Sequence, residues 1–277
     1  MDKADRTDKA VKWFLITLCS LFLIIMLVLP LIYVITTAFR EGAAAFIKAV
    51  TDKYAVKSIL LTVEVTLITV VVNTIFGIAA AWTLTKYSFK GKKLLSALID
   101  LPLTISPIIA GLIFVLTFGR GSIIYPYLKM LDIKIIFAVP GIILATIFVT
   151  FPFISREIIP VLTSTGSDEE EAAALMGAGF FRILREITLP HVKWAMLYGI
   201  VLCSARAMGE FGAVSVISGH LRGKTNTMPL HIEVTYQAFD FTGAFAMSAI
   251  LVVMAIIILI IRNVVEYYGK KDSEYPM

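Results

Sequence analysis

Long stretches without a charged side chain recur along the chain: Trp13–Phe39, Val65–Thr85, Leu101–Gly119, Ile135–Ser155 and Phe241–Ile261. Each is close to the roughly 20 residues that a helix needs to cross a bilayer. A further stretch, Trp194–Ile217, is interrupted only by Arg206 and Glu210. Backbone polar groups in lipid must bond within their own segment, so all six are expected as helices. The third holds Pro102 and Pro107, which predict a kink. The first is longer than the roughly 7–15 apolar residues of a signal peptide and reads as an uncleaved span. The expectation is an all-α integral membrane protein with six transmembrane helices.

Composition agrees with the pattern and narrows the class. Hydrophobic residues make up 58% of the 277, charged residues 16%, and the mean hydropathy is +0.88. That is too few charges to cover a soluble surface. Lys and Arg assigned to alternate connections divide fifteen to nine. The richer side takes both termini and the connections around 86–93 and 156–193, so these are expected in the cytoplasm. The net charge of +5 largely reflects this bias and gives no ground for nucleic-acid binding. Cys19 and Cys203 both fall inside predicted spans, which argues against a disulfide framework.

One polar insert stands out, "EEEAAALMGAGFFRILREITLP" at 169–190. Ser167 followed by Glu170 has the spacing of a capping box. Acidic residues suit the first turn of the helix expected over Glu169–Met176. Gly177 and Gly179 can end it, because glycine tolerates positive φ. Over Phe180–Thr188 the residues Phe180, Ile183, Leu184 and Ile187 share one face, with Arg182, Arg185 and Glu186 towards the other. Pro190 is expected to mark a break before the next span. The residues therefore read as two short helices at the cytoplasmic membrane face. They either join two spans or present Ala172, Ala173 and Ala174 as a small-residue face for a partner.

The stretch matches E-A-A-x3-G-x9-I-x-L-P, with Glu171, Ala172, Ala173, Gly177, Ile187, Leu189 and Pro190 at the fixed positions. In this it resembles permease subunits of ATP-binding-cassette importers. The resemblance implies the type I (MetI-like) fold, with a permease domain over 13–265 between a cytoplasmic segment 1–12 and a tail 266–277. It implies a coupling loop at about 165–190, where the seven residues would engage an ATPase subunit. ATP and Mg would be bound by that partner, and no cofactor is expected in this chain. The nearest local approach to a phosphate loop, "GHLRGKT" at Gly219–Thr225, is one residue short of the P-loop spacing and falls in an expected outer connection.

The stretch 205–233 resembles bacterial sulfate/thiosulfate permeases. Its A-R-A-x-G-E-F-G part is shared with molybdate-type permeases, and the following S-G-H-x-R-G-K-T-N-T-x-P-L-H-x-E favours sulfate. The implied partners are a second homologous permease and an extracytoplasmic sulfate-binding protein, in the bacterial cytoplasmic membrane. Physically, a mid-helix charge costs about 2.5–3.5 kcal/mol on insertion scales. Arg206 and Glu210, four apart, are therefore expected to pair on one helix face, with Gly209 and Gly212 admitting a close neighbour. Two readings stay open: an ion pair that locks packing, or a pair lining the path of an oxyanion.

Other features carry less. Glu64 and Asp100 are expected near span ends, and His191 at the interface. His220, His231 and Glu233 share one outer connection, where outer-loop polarity or contact with a binding protein explains them at least as well as a metal site. A molybdate/tungstate permease is the alternative within the family. An ion-coupled secondary transporter is the alternative outside it, disfavoured by few midplane carboxylates and no clear internal repeat. No nucleophile–base set lies in any span, which argues against a membrane enzyme.

Overall fold

A computed structural model describes the backbone from Asp2 to Glu274. Met1, residues 275–277 and the side chains of residues 2–8, 10 and 270–274 lie outside the described residues. With them go the charges counted at Lys3, Arg6, Lys270 and Lys271 and the end of the expected tail.

Among the described residues every regular element is a helix. The chain opens with α1 (Asp2–Leu23), a π-helical turn at Ile24–Val28 and α2 (Leu29–Ala38), which together form one span over Val11–Ala38. Then come α3 (Ala43–Thr51), the long α4 (Lys53–Lys86), α5 (Lys92–Thr104), α6 (Pro107–Phe118) and the short α7 (Tyr125–Met130). Helices α8 (Val139–Thr150) and α9 (Pro152–Thr165) form the span Val139–Thr165. Next are α10 (Asp168–Leu175), α11 (Phe180–Ile183), a second π-helical turn at Leu184–Thr188 and α12 (Leu189–Met208). The chain ends with α13 (Gly212–Ile217), α14 (Met228–Gln237) and α15 (Phe241–Glu274).

Among the described residues five helices are long and apolar enough to cross a membrane, or six if the bent pair α5–α6 counts as one span. That pair turns by 111° at Ile105–Ser106. The predicted kink of the third span is therefore a sharp corner. Pro107 opens α6, where its missing N–H is not needed, and Ser106 before it is extended. The second span starts earlier than its uncharged run, at Lys53, because Lys57 and Glu64 ride on exposed helix surface.

The span expected at Trp194–Ile217 is displaced: the observed helix runs Phe180–Met208. Pro190 does not break it. A helix interior has no room for proline's ring against the carbonyl four residues back. Here the π-helical turn at Leu184–Thr188 widens the ladder, and Leu189 N donates to Leu184 O, five residues back. The same device precedes Pro30, where Leu29 N donates to Ile24 O. In both places Leu-Pro is accommodated inside a continuing helix.

The chain resolves into two compact units. One comprises residues up to Asp52 with Ile232–Val252. In it Phe39 stacks on Phe46, and Tyr33 meets Phe245 edge-on. The other comprises Lys53–His231 and the chain from Val253 onward. Its core has an α4–α8–α13 cluster around Val65, Ile142 and Val214, and an α4–α9–α12 cluster around Ala81, Ile158 and Val192. Buried Ile154 of α9 sits between Gly77 of α4 and Gly199 of α12, so close that a Cβ at either would lie 3.0–3.2 Å from it. Small residues at helix crossings provide van der Waals packing where water exclusion gives no drive.

Candidate functional site

The polar insert forms a short arm. Helix α10 begins after Ser167 with four carboxylates in its first turn, favourable at the positive end of the helix dipole. It ends on Gly177, whose φ is +86°. Ala178 N donates to Ala173 O, and Gly177 N to Ala174 O, both at 3.0 Å. This pair of bonds is the Schellman motif, which satisfies the last carbonyls of the helix. Gly179 does not terminate it: with φ −75° it caps the start of α11, its carbonyl accepting from Arg182 N and Ile183 N.

The capping box does not form. Ser167 Oγ donates to Glu171 Oε1 at 2.7 Å and makes no cap bond. Glu170 is drawn elsewhere: its Oε2 lies 2.8 Å from Lys86 Nζ at the end of α4. Its Oε1 accepts from Thr188 Oγ1 at 2.8 Å. A charge-assisted pair outweighs a neutral backbone amide as a partner for the carboxylate. Lys86 Nζ also donates to Gly166 O. On the other flank, Glu169 Oε2 accepts from His191 Nε2 at 2.8 Å. The arm is thus tied to α4 by Glu170 and to α12 by Glu169.

What the arm leaves outside is apolar. Leu175, Met176 and Phe181 are 91%, 84% and 82% exposed. Exposed apolar clusters on a polar element mark a contact surface. The expected alanine face is split, with Ala173 turned inward and Ala172 and Ala174 outward, since successive helical residues point in different directions. Phe180 is half exposed and meets Trp82 of α4 edge-on at 5.5 Å. Ile183, Leu184 and Ile187 are partly buried, with Arg182, Arg185 and Glu186 exposed, as the periodicity predicts. Leu189 is partly buried, and Pro190 is exposed at the start of α12.

At the far end of α12 lies the second feature. Arg206 Nη1 is 2.5 Å from Glu210 Oε2, with the side chains 32% and 1% exposed. The pair does not lie on one helix face. Helix α12 stops at Met208, Gly209 is its C-cap, and Glu210 sits in the break before α13. Glu210 Oε1 accepts from Ala213 N at 2.8 Å, capping α13. Arg206 occupies the last turn of α12, where a cation complements the carbonyl end. The ion pair therefore joins the two ends of a broken helix.

Gly212 packs as expected: a Cβ there would come 2.9 Å from Pro107 Cβ. Gly209 packs against nothing beyond its own helix. The tighter contact was not legible in sequence: a Cβ on Gly111 of α6 would lie 2.6 Å from Ala213 O of α13. Asp100 accepts from Arg156 Nε at 2.8 Å. Thr62, Thr66, Thr69 and Asn73 form a buried polar stripe down α4, visible in sequence only as polar residues at helical spacing. Thr62 Oγ1 accepts from Met228 N at 2.8 Å, and Asn73 Nδ2 donates to Thr150 Oγ1 at 2.8 Å.

The family described as binding-protein-dependent transport system inner membrane component matches residues 73–271. The chain belongs to that family. It is a multi-pass membrane transport component with the type I importer permease fold, not an ATPase.

The sulfate transport system permease protein CysW of Synechocystis is 44% identical over 92% of this chain and 93% of its own. Its Escherichia coli K12 counterpart is 43% identical over 92% and 88%. The chloroplastic sulfate permease 2 of Chlamydomonas reinhardtii is 39% identical over 97% and 73%. A chain of a bacterial alginate ABC transporter, crystallised with its alginate-bound periplasmic protein, superposes with a TM-score of 0.78. It covers 97% of this chain at 16% identity, a likeness of fold alone.

Within this family fold, the phosphate-loop-like Gly219–Thr225 is an irregular turn between α13 and α14, without the strand-to-helix setting of a nucleotide site. Among the described residues no group of three His, Cys, Asp or Glu is placed to hold a metal. His191, expected as an interfacial residue, is instead a tether of the α10 arm.

Proposed function

We propose that this chain is one permease subunit of an ATP-driven importer that carries sulfate. It works with a second homologous permease, ATPase subunits that bind ATP and Mg, and an extracytoplasmic sulfate-binding protein. Both termini and the α10 arm face the cytoplasm. The observation that carries the coupling role is the arm itself: an apolar tip held outward by an ion pair to one long helix and a hydrogen bond to another. Identity of 43–44% to sulfate permeases over most of the chain supports the cargo.

The geometry supplies a route for force. Helix α12 and its π-helical entry run unbroken over the 29 residues Phe180–Met208, about 1.5 Å per residue. Displacement of the arm by a closing ATPase pair moves α4 through Glu170–Lys86 and α12 through Glu169–His191. The far end of α12 carries Arg206. One of its nitrogens is held by Glu210, and its partly exposed guanidinium has further N–H groups for an oxyanion. Glu210 offsets the charge, so an anion is bound only in passing. Glu171, Ala172, Gly177, Ile187, Leu189 and Pro190 shape the arm and its return into α12. Alternation between two global states follows when ATP favours one of them.

The test is uptake of labelled sulfate into vesicles carrying the chain and its associated subunits, with and without ATP. ATP-dependent uptake, lost in Gly177→Pro while the chain still inserts, is the expected result. Labelled molybdate uptake that excess sulfate leaves unchanged would overturn the cargo assignment. Uptake by the purified single chain without ATP would overturn the mechanism.

A further inference from the structure

The connection between α6 and α8 encloses a cavity of about 470 Å³ that the transport reading does not use. It lies at the end of the span Val139–Thr165 opposite the α10 arm. Val115 and Phe118 from the last turn of α6, Leu128 of α7 and Ile136 build its walls. Arg120, Lys129 and Lys134 line it as well, against a single carboxylate, Asp132. All three cations are exposed. An apolar hollow with a few convergent charges is the common form of a small-molecule site.

Position decides what kind of molecule. Arg120 follows the apolar α6 by two residues, and Lys134 precedes the apolar α8 by five. Both cations therefore sit just beyond the ends of apolar helices, where basic side chains meet lipid headgroups, and Val115 and Phe118 supply apolar wall to the hollow beside them. The rim continues this character. Ile123, Met130 and Leu131 are 89%, 79% and 63% exposed beside the cations. An interface-bound segment combines apolar tips with basic residues in this way.

The cavity wall is also held rigid. Phe137 has a φ of +57°, a conformation that a bulky residue adopts only under constraint. Its N–H donates to Ile217 O at 3.0 Å. Its ring lies where a side chain at Gly219 would stand.

We propose that this connection is a binding site for an anionic phospholipid. The phosphate is held by Arg120, Lys129 and Lys134, and an acyl chain enters the cavity between Val115 and Phe118. The surplus of two positive charges favours a lipid whose headgroup is net negative over a zwitterionic one, whose ammonium meets Asp132 alone among three cations. The site is independent of the identity of the cargo.

The experiment is native mass spectrometry of the chain with its associated subunits, released from bilayers containing equal phosphatidylglycerol and phosphatidylcholine. Preferential retention of phosphatidylglycerol is expected. Retention falls on the order of a hundredfold in Arg120→Gln/Lys129→Gln/Lys134→Gln, since each basic side chain near an anionic lipid contributes a gain of about fivefold. It also falls in Val115→Trp, which fills the cavity and leaves every charge in place. Asp132→Asn increases it, and the charge-matched control Arg40→Gln/Lys48→Gln/Lys53→Gln, at residues outside the cavity lining, leaves it unchanged. Equal retention of the two lipids overturns the proposal. So does retention unaltered in both the charge and the filling variants. Displacement of the lipid by millimolar sulfate or phosphate would assign the cations to a soluble oxyanion and equally overturn it. If the triple variant fails to assemble, Val115→Trp and Asp132→Asn decide the matter.

Discussion

Glu170 and Lys86 form an ion pair at 2.8 Å between two largely shielded side chains, 15% and 11% exposed. One partner is in the arm and the other at the end of α4. The pair converts a loop that could swing freely into a lever with a fixed root. Exposed ion pairs contribute little, but removing one partner of a shielded pair leaves a charge unmatched. Lys86→Ala and Glu170→Ala are each expected to cut ATP-driven sulfate uptake severalfold while insertion persists. A double-mutant cycle on the thermal stability of the assembled complex should give a coupling of about 0.5–3 kcal/mol. Full additivity would show that the pair has no structural weight.

Gly177 permits a graded experiment. With φ +86° and open space around it, a side chain there meets no atom, so the cost of substitution is conformational. Gly177→Ala should destabilise the arm by about 1–2 kcal/mol, Gly177→Asn by less, and Gly177→Pro should prevent the turn altogether. Uptake in the order glycine, asparagine, alanine, proline, at equal amounts of inserted protein, is the predicted reading. Equal uptake by all four would separate arm geometry from coupling.

Arg206 and Glu210 should respond differently to truncation. Glu210 is buried and caps α13 as well as holding Arg206, so Glu210→Ala removes two functions and is expected to abolish assembly. Breaking a buried pair typically costs about 3–5 kcal/mol. Arg206→Ala leaves the cap in place, since Ala213 N still donates to Glu210. It is expected to lower sulfate uptake about tenfold, with ATP hydrolysis retained and assembly reduced less than in Glu210→Ala because the cap survives. Loss of assembly in Arg206→Ala would make the pair purely structural.

The crossing of α6 and α13 gives a fourth test. A methyl group on Gly111 would stand 2.6 Å from Ala213 O, and a backbone atom cannot move aside as a flexible side chain can. Gly111→Ala is expected to cost about 1–3 kcal/mol as an overpacked core and to reduce the yield of folded protein. Gly209→Ala, with only its own helix within reach, should leave the yield close to that of the parent chain. The contrast is read by fluorescence-detected size exclusion in detergent.

The sequence carried the class of the protein, its helical content, the existence of the arm and the termination of α10 at Gly177. Each depends on local chemistry: apolar length, dipole-matched charges and a residue free to take positive φ. The EAA-type spacing singled out the arm, and its exposed apolar tip, Leu175, Met176 and Phe181, is displayed only by the structure. Local rules failed where a stronger partner or an alternative backbone path was at hand. Glu170 satisfies the spacing of a capping box, yet Lys86 and Thr188 are stronger partners. Pro190 reads as a helix stop, but a π-helical turn supplied by the preceding residues carries the helix through it. Arg206 and Glu210 have i, i+4 spacing, and the chain nevertheless breaks between them at Gly209. The close crossing of Gly111 against Ala213 leaves no trace in one sequence because either glycine role, turn or crossing, fits the same letter. Hydrophobic length and short-range propensity are properties of a segment and can be read along it. Partner choice and close approach are properties of pairs, and only folding brings the pairs together.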